Sequence, residues 1–256
     1  MRADGRLKAP LIVVVTDLQP HWFWVAPAAD AFIVGTDDGQ ARLVRHGIPE
    51  NRIHKLGIPV GRAFGLPVER PSLRLRLHLS PERKAVLITS GGTTVGHFEQ
   101  VVRMLAALEK SIPGQMQLLV VCGEDDHTRR RLEHSHFEMP LEVFGFVENM
   151  AELMAASDLV VTKAGGLTVS EALSRALPMV LYHVIPGQEQ QNARYVAKQG
   201  AGIIAIKPPQ VIGAVERLLK NPTLLDAMRD AAGRLSRPHS AQDILTLVAK
   251  PLTSKK

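Results

Sequence analysis

From residue 84 to residue 206 the chain alternates between short runs of strand-forming residues and stretches of helical periodicity, and this limits the fold more than any other feature. The apolar runs 85–89, 118–122, 141–144, 159–162, 179–183 and 203–206 are rich in Val, Ile and Leu and suit strands covered on both faces. Between them, residues 98–110, 126–134, 150–156, 168–176 and 189–198 space their apolar side chains as helices do. Repeated β-α order predicts an α/β fold, a doubly wound parallel sheet with helices on both faces. Two further amphipathic stretches, 211–219 and 224–235, are punctuated by Pro222 and Pro238 and are expected to pack the tail back on the body.

Residues 1–65 read differently. Two strands, 11–16 and 31–35, are expected there, with Val60 closing an irregular connection. So few strands do not make a stable layer alone, and the segment resembles the second half of a Rossmann-like domain. Residues 66–82, with Pro67, Pro71 and Pro81, read as a linker. The expected organisation is therefore a partial N-terminal domain (1–65), a linker (66–82), a complete domain (83–237) and a tail (238–256). At 256 residues and 45% hydrophobic content, the chain has room for one complete α/β domain and part of another.

The single cysteine, Cys122, excludes a disulfide framework and points to a reducing compartment. Apolar runs fall well short of the ~18 residues that cross a bilayer. The expectation is a cytoplasmic protein, soluble or peripheral. Of the net charge of +6, an excess of four lies in the first eighty residues, where eleven Lys and Arg face seven Asp and Glu. A basic N-terminal part suits an anionic surface, though scattered solvated arginines account for the numbers as well. Aromatics at 4% with no basic interleaving argue against nucleic acid as a partner.

Four turns carry most of the chemistry. Ser90-Gly91-Gly92-Thr93 follows the first strand of the complete domain and precedes a helix, where glycines let backbone N–H groups approach a phosphate. An ordinary glycine turn has the same composition, and neither a Walker-type lysine nor a full dinucleotide fingerprint is present. Lys163-Ala164-Gly165-Gly166 opens a helix that carries Glu171 within its first two turns. A carboxylate there can accept two hydrogen bonds from a ribose diol; a helix-start glutamate is its plain alternative. Pro186-Gly187 leads into Gln188, Glu189 and Asn192, whose donors and acceptors suit a hydroxyl-rich sugar. Gly145-Phe146-Val147 could offer backbone groups to a pyrimidine edge. Together these turns fit a nucleotide-linked sugar.

Asp17, His21, Trp22 and Trp24 cluster after the first strand. A His near an Asp can serve as general base, and paired Trp side chains suit a lipid interface. No metal-ligand constellation and no Asp-x-Asp triplet occur in the sequence.

The chain resembles the glycosyltransferase family of GT-B fold that contains monogalactosyldiacylglycerol synthases, processive diacylglycerol glucosyltransferases and, more distantly, the peptidoglycan GlcNAc-transferase. Val15-Thr16-Asp17 with His21 and Trp24, Gly57-Ile58-Pro59-Val60, Gly145-Phe146-Val147 with Met150, Thr162 through Ala172, and Gly187-Gln188-Glu189 with Asn192 carry the resemblance. It implies inverting transfer of a hexose from a UDP-sugar to a lipid acceptor such as diacylglycerol, at the inner face of the membrane, with no cofactor. Ser90–Thr93 would lie near the diphosphate, Phe146 and Val147 at uracil, Glu171 at the ribose, and Gln188, Glu189 and Asn192 at the hexose. Lys163, Gly165 and Gly166 complete the implied donor site. Asp17, Trp22 and Trp24 would face the acceptor, with His21 as the catalytic candidate.

Family members also begin with a glycine-rich loop ending in His. Nothing before Lys8 supplies one, so a fragment or a misplaced start is expected. The alternatives are a donor-binding subunit completed by a partner chain, and a UDP-GlcNAc-type transferase or epimerase of the same fold.

Overall fold

The computed structural model describes residues 9–91 and 97–249. Near the N-terminus, strands β1 (Ile12–Val14), β2 (Ala31–Val34) and β3 (Ile53–Lys55) form a parallel sheet in the order β1-β2-β3. The central strand is buried along its whole length, as a continuous Ala-Phe-Ile-Val run requires. Helix α1 (Asp37–Arg45) follows β2. Thr36 caps it by accepting a hydrogen bond from the Gly39 N–H, with acids in its first turn and arginines in its last.

The stretch expected to be a plain linker contains helix α2 (Arg70–Arg76). Pro71 lies in its first turn, where a missing N–H costs nothing. The helix is tied to the body through Asp158, which is buried in front of β7. The Asp158 carboxylate accepts from Arg70 at 2.7 Å, from Arg74 at 3.2 Å and from the Ala85 N–H at 2.8 Å. Burial alone would raise the Asp158 pKa. The hydrogen bond and charge of Arg70, with the Ala85 amide and Lys84, hold it below the ordinary carboxylate value instead.

The larger sheet is built from β4 (Lys84–Thr89), β5 (Met116–Val121), β6 (Leu141–Phe144), β7 (Leu159–Thr162), β8 (Met179–Tyr182) and β9 (Gly202–Ala205). Helices α3 (Phe98–Ala106), α4 (Asp126–Glu133), α5 (Met150–Ala156), α6 (Gly166–Ser174) and α7 (Gln188–Lys198) alternate with the strands. Helices α8 (Pro208–Leu219), α9 (Pro222–Leu235) and α10 (Ser240–Ala249) close the chain. All strand pairs are parallel, in the order β6-β5-β4-β7-β8-β9. The order reverses between β4 and β7, which opens a crevice at their carboxyl ends.

Two apolar clusters cover the two faces of this sheet. One joins Val86, Ile88, Val120, Val161, Val180 and Tyr182 to α3 and α8. The other joins Leu87, Leu119, Val160 and Leu181 to α5, α6 and α7, and continues into Leu18, Ile58, Val60, Phe64 and Leu73. The core on that face is thus shared with the N-terminal part. Helix α10 reinforces the junction, because the Ser240 hydroxyl donates to the Ile58 carbonyl.

Candidate functional site

Four turns identified in the sequence leave the carboxyl ends of strands in the larger sheet. Reading across it, Gly145-Phe146-Val147 follows β6, Ser90-Gly91 follows β4, Lys163–Gly166 follows β7, and Pro186–Glu189 lies beyond β8. The β4 and β7 turns flank the crevice. Gly91 has φ of +87° and Gly187 of +110°, conformations that glycine adopts without a Cβ penalty. Gly92 and Thr93, the rest of the expected diphosphate turn, lie outside the described residues.

Helix α6 begins directly at the crevice. Gly165 is its N-cap and Gly166 its first residue, so its unpaired N–H groups and positive dipole end face the site. Glu171 lies in its second turn, half-buried. Among the described residues no group donates to its carboxylate. Burial without a partner pushes its pKa up to about 7. An unpaired carboxyl of this kind at a sheet's ligand edge is poised to accept hydrogen bonds from a polar ligand.

The amide-rich segment is not a loop but the first turn of α7. Gln188 and Glu189 are half-buried there, and the Ile185 N–H donates to Glu189 Oε2 at 3.3 Å, closing the turn that precedes the helix. Asn192 turns inward and is fully buried. Its Oδ1 accepts from the Leu18 N–H at 2.9 Å, while its Nδ2 donates to Asp17 Oδ1 at 3.1 Å and to the Ala164 carbonyl at 3.0 Å. Expected as a hexose contact, Asn192 is turned inward and ties the turn after β1 to α7 and to the turn after β7. Gly166 meets the same turn: a Cβ there would overlap the Thr16 carbonyl oxygen, so no larger residue fits.

This tie separates Asp17 from the neighbours the sequence grouped with it. Asp17 reaches the crevice edge through Asn192. His21 does not pair with it; its Nδ1 accepts from the Phe23 N–H at 3.3 Å and caps a short 3-10 turn, Trp22–Trp24. That turn stands out from the surface, with Trp22 56%, Phe23 70% and Trp24 46% exposed. Rings of His21, Trp22 and Phe23 pack against one another in tilted pairs at centroid distances of 3.9–5.7 Å. Phe146 is also 70% exposed, while Val147 packs on the core. Lys163 is half-buried beside the α6 N-terminus. Cys122 is fully buried and its thiol is pushed up to about 11, chiefly by burial, which leaves it an inert core residue.

Among the described residues no group of three His, Cys, Asp or Glu side chains could hold a metal ion. Nor is any described helix long and apolar enough to cross a membrane.

Two parallel Rossmann-like sheets with a crevice at the carboxyl edge of the larger one define a GT-B-like protein, and known structures share this architecture. The chain aligns with S. aureus MnaA in its UDP co-structure at a TM-score of 0.72, with 15% identity over 92% of this chain and 67% of the other. It aligns with MurG of Acinetobacter baumannii at 0.67, with 20% identity over 96% and 68%. The model for the glycosyltransferase family 28 C-terminal domain matches residues 85–244, and that for monogalactosyldiacylglycerol (MGDG) synthase matches residues 1–60. The chain belongs to glycosyltransferase family 28. A processive diacylglycerol β-glucosyltransferase of Bacillus cytotoxicus is 32% identical over 243 residues, covering 93% of this chain. The chain spans about three fifths of that relative's length, 61%.

Proposed function

We propose that the chain is the donor-binding part of an inverting glycosyltransferase that moves a hexose from a UDP-sugar to a lipid acceptor such as diacylglycerol. Glu171 carries this reading: a half-buried carboxyl with no donor among the described residues, within two turns of the Gly165-Gly166 helix start. In this reading Glu171 accepts from the ribose hydroxyls, and the Gly91 turn and α6 N-terminus meet the diphosphate. Phe146 and Val147 offer their backbone to uracil, and Gln188 and Glu189 contact the hexose. Charge on the departing UDP falls on backbone N–H groups and the α6 dipole, which are fixed before reaction. UDP-hexose is a substrate, and no resident cofactor enters the scheme.

The acceptor lies on the Asp17 side. The exposed Trp22-Phe23-Trp24 turn and the basic N-terminal part suit contact with an anionic bilayer at the cytoplasmic face. Saturating UDP, at about a hundred times its Kd, should stabilise the chain by about 2.7 kcal/mol. Glu171→Ala should remove most of that gain in a thermal melt. Absence of any UDP shift in intact protein would overturn the donor-site reading.

A second reading makes the chain a subunit that depends on another polypeptide for its acceptor half. The outer edge of β1 is where that half would pair: it is unpaired among the described residues, and its Ile-Val-Val sequence suits the interior of a sheet. An in-frame upstream segment carrying a glycine-rich loop and His would refute this second reading, and a separate reading frame encoding that half would support it.

A further inference from the structure

The edge of the larger sheet away from the crevice carries a second concentration of charge. Lys84 opens β4 and Asp158 directly precedes β7, so both lie at the amino ends of the strands. β4 is six residues long, which sets this edge about 20 Å from the Ser90 and Lys163 turns. Four cations approach the buried Asp158 carboxylate: Arg70 at 2.7 Å, Arg74 at 3.2 Å, Arg229 at 3.6 Å and Lys84 at 3.9 Å. Asp226 pairs with Arg229 at 2.9 Å. Nearby, Glu109 and Glu152 are engaged by Arg83 and Arg76, and Glu69 and Glu82 are exposed. Four cations against two carboxylates leave the cluster with surplus positive charge.

Two of these arginines keep donors in reserve. Arg74 is 8% exposed. Its Nη1 donates to Asp158 and its Nη2 to the Ser80 and Arg83 carbonyls. Its Nε is buried and meets no acceptor among the described residues. Arg70 commits Nη2 alone, to Asp158 and the Ala156 and Ser157 carbonyls. Both side chains line one cavity of about 440 Å³, whose other walls are Pro71, Leu75, Leu79 and Pro81. The chain folds back there after α2: His78 takes φ of +54°, and the Leu79 N–H donates to the Arg74 carbonyl at 2.9 Å. That return brings Leu79 and Pro81 back beside Pro71 and Leu75. Leu75 is 77% exposed, a large apolar side chain left in solvent.

The walls and the charge together select the ligand. A bare inorganic anion would use the arginines and waste the apolar walls, and a neutral chain would do the reverse. Ligand pockets commonly measure ~300–1,000 Å³, so this one has room for a single alkyl chain and not for a two-chain lipid. We propose that the cavity binds a single-chain anionic amphiphile, a fatty carboxylate or an alkyl phosphate. Its head accepts from the free edge of Arg70 and from Arg74 Nε, and its chain lies along Leu75, Leu79 and the two prolines. Charge-assisted hydrogen bonds of this kind are the strong ones. The site is separate from the crevice and stands whether or not that crevice binds UDP.

Titration calorimetry on the full chain tests this with decanoate, decyl phosphate, decanol and acetate, each kept below the concentration at which it forms micelles. Both ten-carbon anions should bind, and the tighter of them identifies the head. Decanol and acetate should each bind at least tenfold more weakly. Leu75→Ser should weaken decanoate about tenfold, the effect of uncovering much of one leucine, with an unchanged melting temperature because the side chain is exposed. Arg70→Gln should weaken decanoate by a similar factor and leave decanol unaffected. Leucine methyl resonances should shift at Leu75 and Leu79 when decanoate is added. Decanol binding as tightly as decanoate, acetate matching it, or full affinity retained in Leu75→Ser would each overturn the proposal. So would anions that bind only as micelles or vesicles, a result that would instead make this edge a membrane contact.

Discussion

Affinity for a UDP-hexose should depend on pH through Glu171, and the size of the effect follows from its surroundings. In the free protein, burial holds the carboxyl near pKa 7 instead of 4.5. Ribose hydroxyls that donate to it favour the ionised form, so binding lowers the pKa and releases a proton. Affinity is then fully developed above pH 7 and lost as pH falls through 7. Between pH 8 and pH 6 the loss is about tenfold, or about 1.4 kcal/mol. UDP-glucose is the suitable probe, because both its phosphates are esterified and do not titrate in this range, unlike the terminal phosphate of UDP.

Calorimetry in buffers of different ionisation enthalpy should register about half a proton released per UDP-glucose at pH 7. Glu171→Gln should bind more weakly and show no such dependence, which separates Glu171 from His183 or His21 as the source. The same group has a stability signature of opposite sense. A carboxyl whose pKa is raised on folding destabilises the folded state progressively between pH 4.5 and 7, and fully above that range. Glu171→Gln without ligand should therefore be more stable at pH 8, by about 1–3 kcal/mol. Equal UDP-glucose affinity at pH 6 and pH 8, or a pH dependence that survives Glu171→Gln, would refute the assignment of an ionised Glu171 to the ribose.

Three further outcomes are expected. Asn192→Ala leaves the Leu18 N–H buried without its acceptor; it should cost about 1–3 kcal/mol in urea unfolding and speed hydrogen exchange at the Leu18 amide. Asp158→Asn should cost about 3–5 kcal/mol, because Arg70 and Arg74 lose their counter-charge. The depressed pKa of Asp158 also means that wild-type stability from this group is present above pH 3.8 and lost as pH falls through the lower folded value, which acid unfolding of the two proteins will compare. Replacing Trp22 and Trp24 by Ser should weaken sedimentation with anionic vesicles severalfold while leaving the melting temperature and UDP binding unchanged, since both side chains are exposed.

The larger sheet was legible in the sequence because its strands are buried on both faces and so read as unbroken apolar runs. Helix α1 was not: of its nine residues only Leu43 is a buried apolar side chain, and Asp37-Asp38-Gly39 reads as a turn. Helix α2 was hidden by Pro71, which breaks a helix interior but is tolerated in a first turn. Strand β3 has one buried residue, Ile53, and no pattern to betray it. For the site, position after a strand identified the glycine turns and Glu171, because in a parallel sheet that position alone fixes which edge they occupy. Contacts between distant segments left no such trace. Arg70, Arg74 and Asp158 are individually ordinary, and only the fold brings them together.

Asn192 illustrates the limit and also what lies beyond it. Its amide suits a sugar hydroxyl and an internal tie equally well; burial decides for the tie. Yet Gln188 and Asn192 are four residues apart on α7, so they share one side of the helix, about one turn of 5.4 Å apart. The turn holding Asp17 is therefore fixed one helical turn beneath the residues proposed to hold the hexose. It is also packed against the α6 N-terminus, where Gly166 admits no side chain. A transferase must bring acceptor and donor together at the anomeric carbon in a defined geometry, and a 1 Å error there is costly. The Asn192–Asp17–Gly166 seam supplies a rigid reference of that kind, built from the residue that sequence alone assigned to the sugar.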